Sequence, residues 1–128
     1  MTDDTQKKKK VCIVEDDDNI REIYATALSA SGFEIIEAMN GEDGILAITE
    51  NNPDIILLDL QMPVKNGFEV MEFLQKDEKL SKIPIVVLTN ADDQDSISKA
   101  GQFETRFYVV KALTTPQKIV GIVREILH

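Results

Sequence analysis

The sequence predicts an α/β domain built on a parallel sheet, and three observations lead there. Residues 55–58 read Ile-Ile-Leu-Leu, an apolar run without polar alternation. Such a run suits a strand covered on both faces, as in a parallel sheet. Second, short apolar runs alternate with segments of helical periodicity five times along the chain, which implies right-handed crossovers and a three-layer sandwich. Third, 128 residues with 43% apolar content fit a single domain with one sheet.

The elements follow in order. Residues 1–10 are polar, end in four lysines and read as a flexible lead-in to a domain over 11–128. Val11-Cys12-Ile13-Val14 is the first strand. Asp17 or Asp18 can cap the next helix, where Ile20, Ile23, Tyr24, Ala27 and Leu28 recur as one stripe. Gly32 suits a left-handed helix exit. The second strand, 33–37, carries Glu34 and Glu37, so it belongs nearer a sheet edge. Asn40-Gly41 opens a second helix with Ile45, Leu46 and Ile48 inward, and Asn51-Asn52-Pro53 stops it.

The third strand, 55–58, ends at Asp59, and Pro63 forbids its continuation as a central strand. Asn66-Gly67 marks a turn before a helix striped by Phe68, Met71 and Leu74. Residues 83–88 are the fourth strand, ending at Thr89. The helix expected over 92–102 has a thin apolar face, a mark of weak local stability. Residues 107–110 are the fifth strand, ending at Lys111. Thr115-Pro116 begins the last helix, with Thr115 as cap and Pro116 in the first turn. Ile119, Val120, Val123, Ile126 and Leu127 form its stripe.

Composition excludes several roles. A net charge of −9 argues against binding nucleic acid. No apolar stretch approaches the roughly 20 residues of a membrane span, and residues 1–10 do not resemble a secretory signal. A cytoplasmic location is therefore expected. Cys12 is the sole cysteine and reads as a small buried hydrophobe. No GxxxxGK[ST] loop follows the first strand. No Ser-His pair exists either, since His128 is the only histidine.

Chemistry concentrates at the strand ends. In an open parallel sheet the working groups gather beyond the carboxyl ends of the strands. Glu15-Asp16, Asp59, Thr89 and Lys111 all stand there. Three neighbouring carboxylates repel one another, and one lysine offsets only part of that charge. A divalent cation with oxygen ligands, Mg²⁺, accounts for the set better. The plainer alternative has Asp16 to Asp18 capping a helix and Asp59 paired with Lys111 for structure alone. With no other nucleophile suggested, Asp59 beside a cation, an ammonium and a hydroxyl is equipped to accept a phosphoryl group.

These residues resemble a known family. Val14-Glu15-Asp16, the run 57–63 with Gly67 following, Leu88-Thr89, and 108–111 together resemble the receiver domain of two-component response regulators, over residues 11–127. The resemblance implies a flavodoxin-like fold with strand order 2-1-3-4-5 and five helices. It implies Asp59 as phosphoacceptor. Asp16 would bind Mg²⁺ directly, Glu15 mainly through water, and the Gln61 carbonyl would be a further ligand. Thr89 would contact the phosphoryl group, Lys111 would pair with it, and Tyr108 would be the switch aromatic. The implied partners are a histidine kinase or histidine phosphotransfer protein as donor and a downstream protein target, with a homodimer on phosphorylation left open.

The chain is thus expected to work as a stand-alone phosphoryl-accepting switch. It would catalyse its own phosphorylation and slow dephosphorylation and act on no separate metabolite. Gln61 stands where a phosphatase-like enzyme would need an acid or base. Two departures from the family pattern favour the alternative of a phosphorylation-independent interaction module. Asn90 follows Thr89 where a small residue is usual. Ala112 follows Lys111 where the family has proline with a cis bond, and a cis bond before alanine costs roughly 2.5–4 kcal/mol. The loop would either carry that cost or turn another way and aim Lys111 differently.

Overall fold

The computed structural model describes residues 7–62, 64–89 and 107–128. Its sheet has five parallel strands: β1 (Lys10–Val14), β2 (Glu34–Ala38), β3 (Ile55–Asp59), β4 (Ile85–Thr89) and β5 (Phe107–Val110). They lie in the order β2-β1-β3-β4-β5, the flavodoxin-like topology. Four α-helices lie among the described residues: α1 (Asp18–Ala30), α2 (Gly41–Asn51), α3 (Gly67–Gln75) and α4 (Pro116–Leu127). The helix expected over 92–102, Asn90 and Pro63 lie outside the described residues.

Two cores form because strand side chains alternate between faces. On one face Cys12, Val14, Ile56, Leu58 and Val87 pack against α2 and α3 through Ile48, Met71 and Leu74. On the other, Val11, Ile13, Ile55, Leu57 and Leu88 pack against α1 and α4 through Leu28, Ile119 and Val123. The whole of β3 is buried. Each fully buried aliphatic side chain there contributes roughly 1.5–3 kcal/mol, which makes β3 a firm base for Asp59. β2 is an edge strand, as its glutamates suggested.

Caps account for the element boundaries. Asp17 caps α1 by accepting from the Ile20 N–H at 3.0 Å. Gly32, at φ 98°, makes the left-handed exit, while Gly32 N–H reaches the Ser29 carbonyl and Phe33 N–H the Leu28 carbonyl. That last bond spends the Phe33 N–H, so β2 begins at Glu34 rather than Phe33. Likewise a 3₁₀ turn at Leu80–Lys82 precedes β4, and Pro84 has no N–H for a ladder, so β4 begins at Ile85. Thr115 caps α4, its hydroxyl oxygen accepting from the Lys118 N–H at 3.2 Å, with Pro116 in the first turn.

Two stripe residues are outside their cores. Ile23 is 51% exposed and Leu46 57% exposed. Both were expected inward. Each lies at the margin of its helix's apolar arc, which is wider than the surface the sheet covers. Gly67 marks a close approach. A Cβ there would stand 2.5 Å from the Asp59 carbonyl oxygen, so only glycine lets α3 start directly against the exit of β3.

Candidate functional site at the carboxyl edge of the sheet

Parallel pairing brings the ends of β1, β3, β4 and β5 to one edge. Register sets Val14 beside Leu58, Asp59 beside Leu88 and Thr89 beside Val110. Glu15 follows β1 directly, between the two strands where chain order reverses. This is the switch point at which open α/β sheets carry their sites.

The acidic groups converge there. Glu15, Asp16 and Asp59 each offer a carboxylate oxygen, and these oxygens lie within 4.8 Å of one another. Glu15 and Asp59 are buried, while Asp16 is exposed. The Lys111 ammonium lies 2.7 Å from Glu15 Oε1 and 3.2 Å from Asp59 Oδ2. Asp59 Oδ1 accepts from the Gln61 N–H at 3.1 Å, and Glu15 Oε2 accepts from the Asp17 N–H at 3.1 Å. Thr89 is buried at the end of β4 beside this cluster. Tyr108 lies on β5 opposite Val87 and is 37% exposed.

The lysine reaches its partners without a cis bond. No described peptide bond is cis, and Lys111–Leu113 forms a 3₁₀ turn. The loop therefore turns by another route, yet Lys111 still aims into the acidic cluster.

The charges do not balance. Among the described residues, one ammonium faces three carboxylates. Glu15 Oε1 is fully buried and receives no well-directed hydrogen bond, although Lys111 stands beside it. That contact is an ion pair, because Coulomb attraction depends on separation rather than on N–H direction. Burial, and then the neighbouring Glu15 charge, push the Asp59 pKa up to about 7; Lys111 and the Gln61 N–H pull the other way. Burial lowers the Lys111 pKa, but the close contact with Glu15 and the charges of Asp59 and Glu15 outweigh it and leave Lys111 above its ordinary value. A poorly satisfied buried oxygen and a carboxyl held back from ionising are the features a bound cation would relieve. The all-oxygen donor set fits a hard divalent ion such as Mg²⁺.

Comparison with known proteins agrees with this geometry. The family described as the response regulator receiver domain matches residues 11–124. The chain belongs to that family. This receiver is 33% identical over 120 residues to the phosphate regulon transcriptional regulatory protein PhoB of Pseudomonas aeruginosa, covering 94% of this chain and 52% of PhoB. It is 32% identical over 117 residues to the polar-differentiation response regulator DivK of Brucella anthropi, covering 89% and 93%. The receiver thus spans about half the length of PhoB and most of DivK. The Mn²⁺-bound form of the response regulator Rcp1 superposes with a TM-score of 0.79 at 26% identity, covering 89% of this chain and 91% of that one.

Sequence reasoning missed one member of the receiver's site. The Arg21 guanidinium donates to the Glu15 carbonyl at 2.8 Å and to Asp18 at 2.6 Å, and reaches Glu37 at 3.3 Å. The only local signal was an opposite charge three residues after Asp18.

The raised Asp59 pKa has a consequence for stability. Between its ordinary pKa of 3.8 and about 7, the folded receiver holds a proton at Asp59 that the unfolded chain has lost. Through this group, stability is therefore highest below that window and falls as pH rises across it. A tenfold difference in proton affinity between the folded and unfolded chain corresponds to about 1.4 kcal/mol. Asp59→Asn is expected to remove this slope and to be more stable than wild type at pH 8 in EDTA, by a few kcal/mol. Urea unfolding at pH 5 and pH 8 measures it. Identical slopes in the two proteins would contradict it.

Proposed function

We propose that Asp59 accepts a phosphoryl group from a phosphohistidine on a partner histidine kinase or histidine phosphotransfer protein, in a Mg²⁺-dependent reaction. Residues 11–128 are the working receiver, with 1–10 a polar lead-in whose last residue, Lys10, opens β1. The observation that carries this reading is the pairing of buried Asp59 with Lys111 inside a three-carboxylate cluster.

Glu15, Asp16 and Asp59, with the Gln61 carbonyl, would hold the cation. Bound there, it supplies positive charge to offset the charge that spreads over the equatorial phosphoryl oxygens. The Mn²⁺-bound form of Rcp1 supports a divalent ion on this fold. In the transfer, an Asp59 carboxylate oxygen attacks phosphorus as the P–N bond to the donor imidazole breaks. The bonding pair goes to the ring nitrogen, which then takes a proton. Lys111 favours the ionised form of Asp59 beforehand and neutralises the phosphoryl oxygens afterwards. The Thr89 hydroxyl donates to one of those oxygens. In hydrolysis, water attacks phosphorus and returns Asp59 as carboxylate. Gln61 offers an amide and no acid or base there, so that step is slow.

Output passes through shape. A doubly charged phosphate recruits nearby donors. As Thr89 moves toward it, Tyr108, now partly exposed, turns into the space behind. A downstream protein reads the altered face. We place the receiver in the cytoplasm; among the described residues no helix is long and apolar enough to cross a membrane.

Incubation with acetyl phosphate tests the reading. Intact-mass measurement is expected to show one phosphoryl adduct with Mg²⁺ and none in EDTA. Folded protein that gives no adduct with Mg²⁺ would overturn it in favour of a phosphorylation-independent interaction module, and the same adduct in EDTA would overturn the Mg²⁺ dependence.

A further inference from the structure

We propose that Arg21 is a positioning residue that sets the shape of the acidic loop, residues 15–18, and through it the loop's hold on a divalent cation. The second half of this proposal rests on the reading of the loop as a cation site.

Four acidic residues stand in succession here, three between β1 and α1 and the fourth, Asp18, opening α1. Their mutual repulsion favours an open, spread conformation. Arg21 opposes that from inside. Its side chain is only 13% exposed. One Nη donates to the Glu15 carbonyl at the start of the loop and the other to Asp18 at its end. Asp16 and Asp17 are thereby held between two clamped ends. The Nε contact to Glu37 adds a tie to β2. Both carboxylate partners face solvent, Asp18 at 78% and Glu37 at 49% exposure, so both ion pairs are screened, and the Glu37 contact at 3.3 Å is the longest of the three. The Glu15 carbonyl bond is charge-assisted and is the strongest candidate to fix the backbone.

The sign of the effect separates positioning from charge. Arg21 is a cation near a cation site. If it acted only through its field, removing it would tighten Mg²⁺ binding, and Arg21→Lys would change nothing. As a clamp, it loses its two-ended grip in both variants, because an ammonium lacks the planar fork. Partners that orient metal ligands from outside typically contribute roughly 10–100-fold to affinity.

The test uses the full chain. Mg²⁺ is titrated into wild type, Arg21→Ala and Arg21→Lys by calorimetry, and amide hydrogen exchange is followed in EDTA. Both variants are expected to bind Mg²⁺ roughly tenfold more weakly. Exchange at 16–18 is expected to accelerate while the β3 amides keep their protection, which also shows that the variants fold. Tighter binding by Arg21→Ala with no change in Arg21→Lys would overturn the proposal, as would unchanged exchange in the loop. If wild type itself binds no Mg²⁺, the cation-site reading fails separately. The exchange arm then still decides whether Arg21 shapes the loop.

Discussion

Asp59→Asn is expected to abolish phosphoryl labelling while leaving a folded and, above pH 7, more stable protein. The amide keeps nearly the same shape, so the core around β3 is undisturbed. It carries no charge and is a far poorer nucleophile. With the attacking oxygen gone, labelling is expected to fall by roughly two orders of magnitude or more. The stability gain follows from the same residue. Burial and Glu15 hold Asp59 near pKa 7, so an ionised Asp59 costs free energy in the folded state without a cation. A loss of labelling together with a gain in stability cannot be ascribed to unfolding. Labelling at the wild-type rate would mean that a carboxylate of the 16–18 run is the acceptor instead.

Lys111→Met is expected to have the opposite effect on stability. It leaves Glu15 and Asp59, both buried, facing each other without the ammonium that now lies 2.7 and 3.2 Å away. Removing one partner of a buried ion pair costs about 3–5 kcal/mol. The pH dependence identifies the cause. The Lys111 pKa is raised, so its contribution is present throughout neutral pH and fades only as pH rises above the ordinary lysine value of 10.5. The Asp59 charge, however, is lost as pH falls below about 7. The penalty is therefore expected to be largest at pH 8 in EDTA, smaller at pH 5, and partly reversed by Mg²⁺. Urea unfolding under these three conditions measures it. An equal loss in all three would indicate that only packing of the lysine stem was removed. Labelling by acetyl phosphate should fall as well, because the variant lacks the charge that favours the ionised form of Asp59.

Much of this molecule was legible because its signals are local. The unalternated run in β3, the Thr115-Pro116 start of α4 and the glycine exit of α1 each depend on a few consecutive residues. Strand starts were less legible. Phe33 and Ile83 look like strand residues, but one spends its N–H on a helix exit and the other follows a 3₁₀ turn. Ile23 and Leu46 fit their helical periods, yet periodicity does not reveal how much of an apolar arc the sheet covers. In the site, Glu15, Asp16, Asp59, Thr89 and Lys111 were readable because each ends or follows an apolar strand. Arg21 was not, since its contact with Glu37 depends on how α1 packs beside β2. Nor was the aim of Lys111, because Ala112 allowed two loop paths and only the geometry distinguished them.

The most direct measurement is the location of the phosphoryl group. Protein treated with acetyl phosphate and Mg²⁺ is reduced with borohydride, which converts an aspartyl phosphate to homoserine, and its peptides are sequenced by mass spectrometry. Homoserine at position 59 alone is the expected result. Homoserine at 16, 17 or 18, or no conversion in protein that carries the adduct, would contradict the assignment of Asp59 as acceptor.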